Sequence, residues 1–255
     1  MSTRIAVVSS PRSGNSWVRS VLANSLDLAE IAIHNYLDVP DHLPDRCALQ
    51  IHWYREPNFQ RYLHENRFRT LVVGRHPLDV LLSVLHFIRY EPATSQWLMG
   101  NAEIPPDLSG QVPTSDAFMD YALSWGAENL LSISYQWWLD NNSIHVKYEN
   151  LVNSPSKEFS KIINILSNDF KNEKIDRAIK SFGLDYFCSL PNHHGWQGQP
   201  GLWRKLIPGK MARAIHSRHR RLFEVLEYDV PYTWTSYRQA ENNWKALTSK
   251  TNRSN

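Results

Sequence analysis

An α/β fold on a central, mostly parallel sheet is predicted by two features of the chain. Short strand-like runs at Ile5–Val8, Cys47–Trp53, Thr70–Gly74 and Ser143–Tyr148 are separated by stretches with helical apolar spacing. That alternation is what parallel strands joined by crossover helices require. The first run also ends in a hydroxyl-rich turn, Ser10-Pro11-Arg12-Ser13-Gly14-Asn15-Ser16-Trp17, which leads directly into a helix. Such a junction gathers backbone N–H groups and the positive end of a helix dipole at one spot, a natural anion site.

In chain order, Ile5-Ala6-Val7-Val8 is a short apolar strand, and Val18, Val21, Leu22, Leu26 and Leu28 mark the helix after the turn. Residues 29–48, with Pro40 and Pro44, read as loop. Cys47–Trp53 is a second strand that carries a histidine near its end, and a helix follows from about Pro57 to Asn66. Thr70-Leu71-Val72-Val73-Gly74 suits a buried parallel strand. Pro77 then opens a helix whose apolar face is Val80, Leu81, Val84, Leu85 and Ile88.

Residues 91–116 are broken by Pro92, Pro105, Pro106 and Pro113 and are expected to form a lid-like insert. One long helix is expected over Ala117–Leu139, a strand over Ser143–Tyr148, and a helix opened by Ser154-Pro155. Further helices are predicted over Lys171–Phe182 and Lys210–Leu226, with a glycine-broken loop at 192–201 between them. Residues 1–230 make the domain, and 231–255 a polar extension.

A net charge of +3 suits an anionic ligand but lacks the concentrated basic stripe of a nucleic-acid binder. Cys47 and Cys188 have no metal-ligand spacing and read as free thiols, and no ligand cluster suggests a metal. No signal-like or membrane-length apolar run occurs, so a cytoplasmic protein is expected. A Walker A lysine is absent, which disfavours a P-loop kinase.

Four motifs in order resemble the sulfotransferases that use 3′-phosphoadenosine 5′-phosphosulfate (PAPS). Pro11-Arg12-Ser13-Gly14-Asn15-Ser16-Trp17 is similar to the 5′-phosphosulfate loop P-K-S-G-T-T-W. Arg75-His76-Pro77-Leu78-Asp79, continuing through Ser83 to His86-Phe87, resembles the 3′-phosphate segment R-N-P-x-D-x-x-x-S-x-x-H-F. Tyr148-Glu149-Asn150-Leu151 followed by Pro155 resembles Y-E-D-L…P, and Gly198-Gln199-Pro200-Gly201-Leu202-Trp203 resembles the closing loop G-x-x-G-x-W.

The resemblance implies a three-layer, P-loop-like fold and PAPS as co-substrate, with no metal. It implies that Arg12, Ser13, Gly14, Asn15 and Ser16 hold the phosphosulfate, and that Trp17 stacks on adenine. Arg75 and Ser83 take the 3′-phosphate, and Tyr148 and Gly198 line the nucleotide site. His52 stands where the family's K-T-H histidine stands and is the implied general base, while Arg12 neutralises the leaving group. His86, His193 and His194 are weaker candidates, and Asp79 reads as a helix-start charge.

The acceptor is expected to be a small molecule, sugar or lipid with a hydroxyl or amine, against Trp53, Tyr54, Phe87, Tyr90 or Trp97. Three residues depart from the family pattern: Arg12 replaces lysine, Gln50 replaces the K-T-H lysine, and Trp196-Gln197 replaces Arg-Lys before Gly198. Arg204 or Lys205 is a candidate substitute for the last of these. The Gln50 and Trp196-Gln197 departures leave a rival reading, a nucleotide-binding interaction or sensor module without transfer activity. The sequence does not determine oligomeric state.

Overall fold

The computed structural model describes residues 3–166, 172–191 and 194–251. Five parallel strands form one sheet in the order β2-β3-β1-β4-β5, with β1 Thr3–Val8, β2 Ala29–Ala32, β3 Arg46–Ile51, β4 Phe68–Gly74 and β5 Ile144–Lys147. The chain passes from β1 to one flank through β2 and β3, then crosses to the other flank for β4 and β5. The loops after β1, β3 and β4 therefore open apart at one edge, the position where open α/β sheets bind ligands.

The period-two alternation of strands sorts their side chains between two cores. Ala6, Val8, Leu49, Ile51 and Val72 face one layer of helices. Ile5, Val7, Ala48, Leu71, Val73 and Val146 face the other. The second layer holds α1 (Asn15–Leu26), and Val18, Val21 and Leu22 are its buried stripe. The first holds α2 (Pro57–Glu65) and α3 (Pro77–Phe87), whose residues are all buried.

Several expectations need correction. Residues 29–48 are not all loop. β2 is an edge strand of largely exposed residues held by its ladder to β3, from Ala29 opposite Cys47 to Ala32 opposite Gln50, so no apolar pattern betrays it. The helix expected over 117–139 breaks at Ser124 into α4 (Asp116–Leu123) and α5 (Trp125–Trp138). Ser124 adopts an extended backbone there, and its hydroxyl caps α5 by accepting from the Ala127 N–H.

The strand expected to reach Tyr148 ends at Lys147, because Tyr148 opens α6 (Tyr148–Asn153), which precedes α7 (Pro155–Leu166). Of the helix expected over 171–182, Lys171 lies outside the described residues, and α8 covers Asn172–Ser181 before α9 (Leu184–Cys188). After α10 (Trp203–Leu206), the helix expected over 210–226 breaks at His219 into α11 (Gly209–Arg218) and α12 (Arg220–Val225).

The 91–116 insert runs through short 3-10 turns and sends Trp97, Leu98, Ala102 and Leu108 into the first core. The polar C-terminal stretch contains α13 (Tyr237–Thr251), whose Trp244 is buried in that same core. Among the described residues, no helix is long and apolar enough to cross a membrane, and no cluster of metal-binding side chains occurs.

Candidate active site

The loop between β1 and α1 is shaped by two residues in the left-handed region, Arg12 at φ 67° and Gly14 at φ 99°. Gly14 is required twice over. Its φ disfavours any side chain, and a Cβ there would stand 2.6 Å from Cδ2 of Tyr148. The loop is fixed from below: the Ser10 N–H donates to Ser134 Oγ (2.9 Å), the Ser10 hydroxyl donates to the Leu131 carbonyl, and Asn15 Nδ2 donates to the Ser10 carbonyl (3.0 Å).

Arg12 points inward. Its Nε donates to Ser83 Oγ at 3.1 Å, its Nη2 donates to the His194 carbonyl at 2.6 Å, and its guanidinium lies 4.1 Å from the Phe87 ring centre. Burial and the neighbouring Arg75 charge pull its pKa down to about 9, which still leaves it protonated at neutral pH. Arg75, just beyond β4, donates from Nη1 to the Arg12 carbonyl at 2.8 Å and lies 4.5 Å from the Tyr148 ring centre. Neither arginine has a carboxylate within ion-pair distance among the described residues. The buried Ser13 Oγ, Arg75 Nε and Trp17 Nε1 also have no hydrogen-bond partner there. Partly buried cations without a carboxylate among the described residues, beside unsatisfied donors, suit an anion.

His52 follows β3 and is buried. Its Nδ1 lies 2.7 Å from the Ser9 carbonyl. A carbonyl only accepts, so Nδ1 carries the proton and Nε2 is the unprotonated nitrogen, with the Gln50 amide nitrogen 3.4 Å from it. Burial, chiefly, and then the neighbouring His34 depress its pKa to about 3, with Arg12 and Arg19 adding to the shift. The imidazole is therefore neutral at physiological pH.

These groups share one cavity of about 550 Å³, lined by Arg12, Gly14, Asn15, Ser16, Trp17, His52, Arg75, Ser83, Phe87, Tyr148 and Gly198 among others. Ser13 sits buried behind the loop and off the wall. Tyr148 donates from its hydroxyl to the Gly198 carbonyl at 2.8 Å, which ties α6 to the closing loop. Trp17 meets Tyr148 and Phe159 edge-on.

Trp53, Tyr54 and Tyr90 do not line the cavity. Trp53 turns into the core, where its indole N–H donates to Glu56, and Tyr54 packs on it. Tyr90 packs on His86, whose ring stacks at 4.6 Å on Trp196, itself part of the cavity lining. Arg204 and Lys205 do not line it either; Arg204 lies against Trp203. His193 is outside the described residues.

Other residues bear on the site without a motif to announce them. His34 stacks on His52 with centroids 5.7 Å apart, and with Trp97 it lines the cavity beside that ring. His194 brings Nε2 to 2.9 Å from Ser16 Oγ. Val152, Ile179, Phe182, Leu184 and Phe187 add an apolar lining. Asp79 is more than a helix-start charge: its buried carboxylate accepts from the Gly201 N–H (2.6 Å) and the Trp203 N–H (2.9 Å), which pins the closing loop. Only its position in the R-N-P-x-D motif could have flagged it.

A family model described as "Sulfotransferase domain" matches residues 2–194. The fold is similar to a mouse sulfotransferase complexed with PAP, with a TM-score of 0.67 and 18% identity over 90% of this chain and 90% of that one. It is also similar to retinol dehydratase in complex with androsterone and the inactive cofactor PAP, with a TM-score of 0.60 and 15% identity, covering 90% of this chain and 82% of that one. Retinol dehydratase in a complex with retinol and PAP gives a TM-score of 0.61 and 15% identity, covering 91% and 83%. A search of curated proteins finds no match.

Proposed function

The chain belongs to the sulfotransferase domain family, and on that premise we propose that it transfers the sulfuryl group of PAPS to a hydroxyl or amine of a small-molecule acceptor. One observation carries the reading. Arg12, with no carboxylate within ion-pair distance among the described residues, and His52, with Nε2 unprotonated, line the same cavity.

In this reading the β1–α1 loop, with Asn15 and Ser16, holds the 5′-phosphosulfate, and Arg75 with Ser83 takes the 3′-phosphate. Trp17 and the apolar end of the cavity receive adenine. The acceptor enters past Phe87, Trp97 and His34. Its oxygen attacks sulfur as its proton passes to His52 Nε2. The bond from sulfur to the phosphate oxygen breaks, and that oxygen keeps the electron pair, neutralised by Arg12. An anionic co-substrate beside Arg12 also cancels one of the positive charges that depress His52, so the base strengthens as the site loads.

The test is incubation with sulfur-labelled PAPS and a panel of alcohols, phenols, amines and sugars. Label should move to at least one acceptor, with release of the desulfated nucleotide PAP. Tight PAP binding without transfer to any acceptor would instead favour a nucleotide-binding module.

A further inference from the structure

One of the positions that depart from the family pattern, Gln50, is held by several hydrogen bonds within the site. Gln50, buried on β3, lines the cavity two residues before His52. Its Oε1 accepts two hydrogen bonds, from Ser16 Oγ at 3.1 Å and from Arg19 Nη1 at 2.9 Å. Arg19 is itself held, since its Nε donates to Glu30 Oε2 at 2.8 Å, and Ser20 Oγ donates to the same oxygen at 2.8 Å. Glu30 lies on the edge strand β2 and Ser16 and Arg19 on α1, so the amide oxygen is held from α1, with Arg19 braced in turn by β2.

The orientation of the amide follows from the chemistry of its partners. A guanidinium only donates, so the atom facing Arg19 must be the oxygen. The Nε2 end is then turned toward the base, 3.4 Å from His52 Nε2. That histidine nitrogen is the unprotonated one, because Nδ1–H is committed to Ser9. Gln50 therefore points an amide N–H at the His52 Nε2 lone pair, a long contact that an acceptor hydroxyl seated between the two would replace.

Resting on the sulfotransferase reading, we propose that Gln50 orients the acceptor hydroxyl and that Arg19 is the positioning residue that fixes its amide. The acceptor oxygen takes a hydrogen bond from Gln50 Nε2–H while its own proton faces His52 Nε2. The two contacts together fix which oxygen lone pair points at sulfur, which is the orientation that in-line transfer needs.

The experiment combines kinetics with a readout independent of turnover. Gln50→Leu should lower kcat/KM for the acceptor by about tenfold or more, the scale of one lost orienting hydrogen bond, while PAP affinity stays within about twofold of wild type. Arg19→Met should lower it by several-fold, Arg19→Lys should recover much of that loss, and Arg19→Met should cost nothing further on a Gln50→Leu background. Independent, multiplicative losses in the double variant would overturn the positioning role, and an unchanged kcat/KM in Gln50→Leu would overturn the acceptor contact.

In 15N spectra of the PAP-bound protein, the Gln50 side-chain amide, assigned by its disappearance in Gln50→Leu, should exchange slowly with water. It should exchange much faster in Arg19→Met. An amide indifferent to Arg19 would overturn the clamp whether or not the protein transfers sulfate. If the wild type transfers to no acceptor while the amide behaves as expected, the sulfotransferase reading and the acceptor contact fall, and the clamp stands.

Discussion

At the scale of single residues, the site depends on a few atoms whose protonation and direction are dictated by their partners. The proposed base, His52, has the tautomer that role needs because the Ser9 carbonyl claims Nδ1–H and leaves Nε2 unprotonated. His52→Ala should reduce sulfuryl transfer by at least a hundredfold, within the usual range for losing a general base, with PAP affinity measured by calorimetry close to wild type. A fully active variant would remove His52 from the mechanism. Arg75 lies against Tyr148 and holds the Arg12 carbonyl, yet has no anion of its own among the described residues. Arg75→Ala should therefore weaken PAP far more than adenosine 5′-phosphate, and equal loss for both nucleotides would refute the 3′-phosphate role. The sequence named both residues by motif, but it gave no sign of His34, which stacks on the base from a segment read as loop.

Elements matter through the surfaces they hold together. The β1–α1 turn and α6 approach so closely that Tyr148 occupies the space a side chain at Gly14 would need. Gly14→Ala should displace the Tyr148 ring and strain a left-handed φ at once. PAP affinity should fall by tenfold or more, with a measurably lower Tm; unchanged PAP affinity would show that the contact is dispensable. The closing loop hangs on α3 through Asp79, whose carboxylate satisfies two backbone N–H groups. Asp79→Ala leaves both donors unpaired, at a cost of about 1–3 kcal/mol each if they stay buried. The expected result is a raised KM for PAPS and faster proteolysis within residues 195–203. Cleavage as slow as in wild type would remove Asp79 from loop anchoring. Helix periodicity placed α1, α2 and α3 well because their buried stripes are continuous. It failed where a cap or an edge decides: Ser124 breaks one pattern, His219 another, and β2 has no apolar face to read.

For the molecule as a whole, burying neutral histidines makes stability depend on pH. His52 and His76 are both buried, with pKa values pushed down by burial to about 3 and about 4. In the unfolded chain each titrates near 6.5. Below that value the unfolded state takes up protons that the native state refuses. Stability is thus complete above about pH 6.5 and falls as pH drops toward the folded values, by up to about 1.4 kcal/mol per pH unit for each histidine. Urea midpoints should decline between pH 7 and pH 5, and the decline should be shallower in His52→Gln; a flat profile over that range would contradict neutral burial. What the sequence determined by itself was the order of the motifs and the parallel α/β class, because turns and strand ends impose local residue requirements; the resemblance pointed to Arg12, His52, Arg75, Ser83 and Tyr148, and the structure lines one cavity with them. What only the tertiary structure decided was which side chains converge on those motifs. Asp79 reaches across to Gly201 and Trp203, Arg19 and Glu30 clamp Gln50, and Trp53 and Tyr90 turn away from the cavity. Those pairings join residues from different elements, where packing rather than local pattern sets the direction of each side chain.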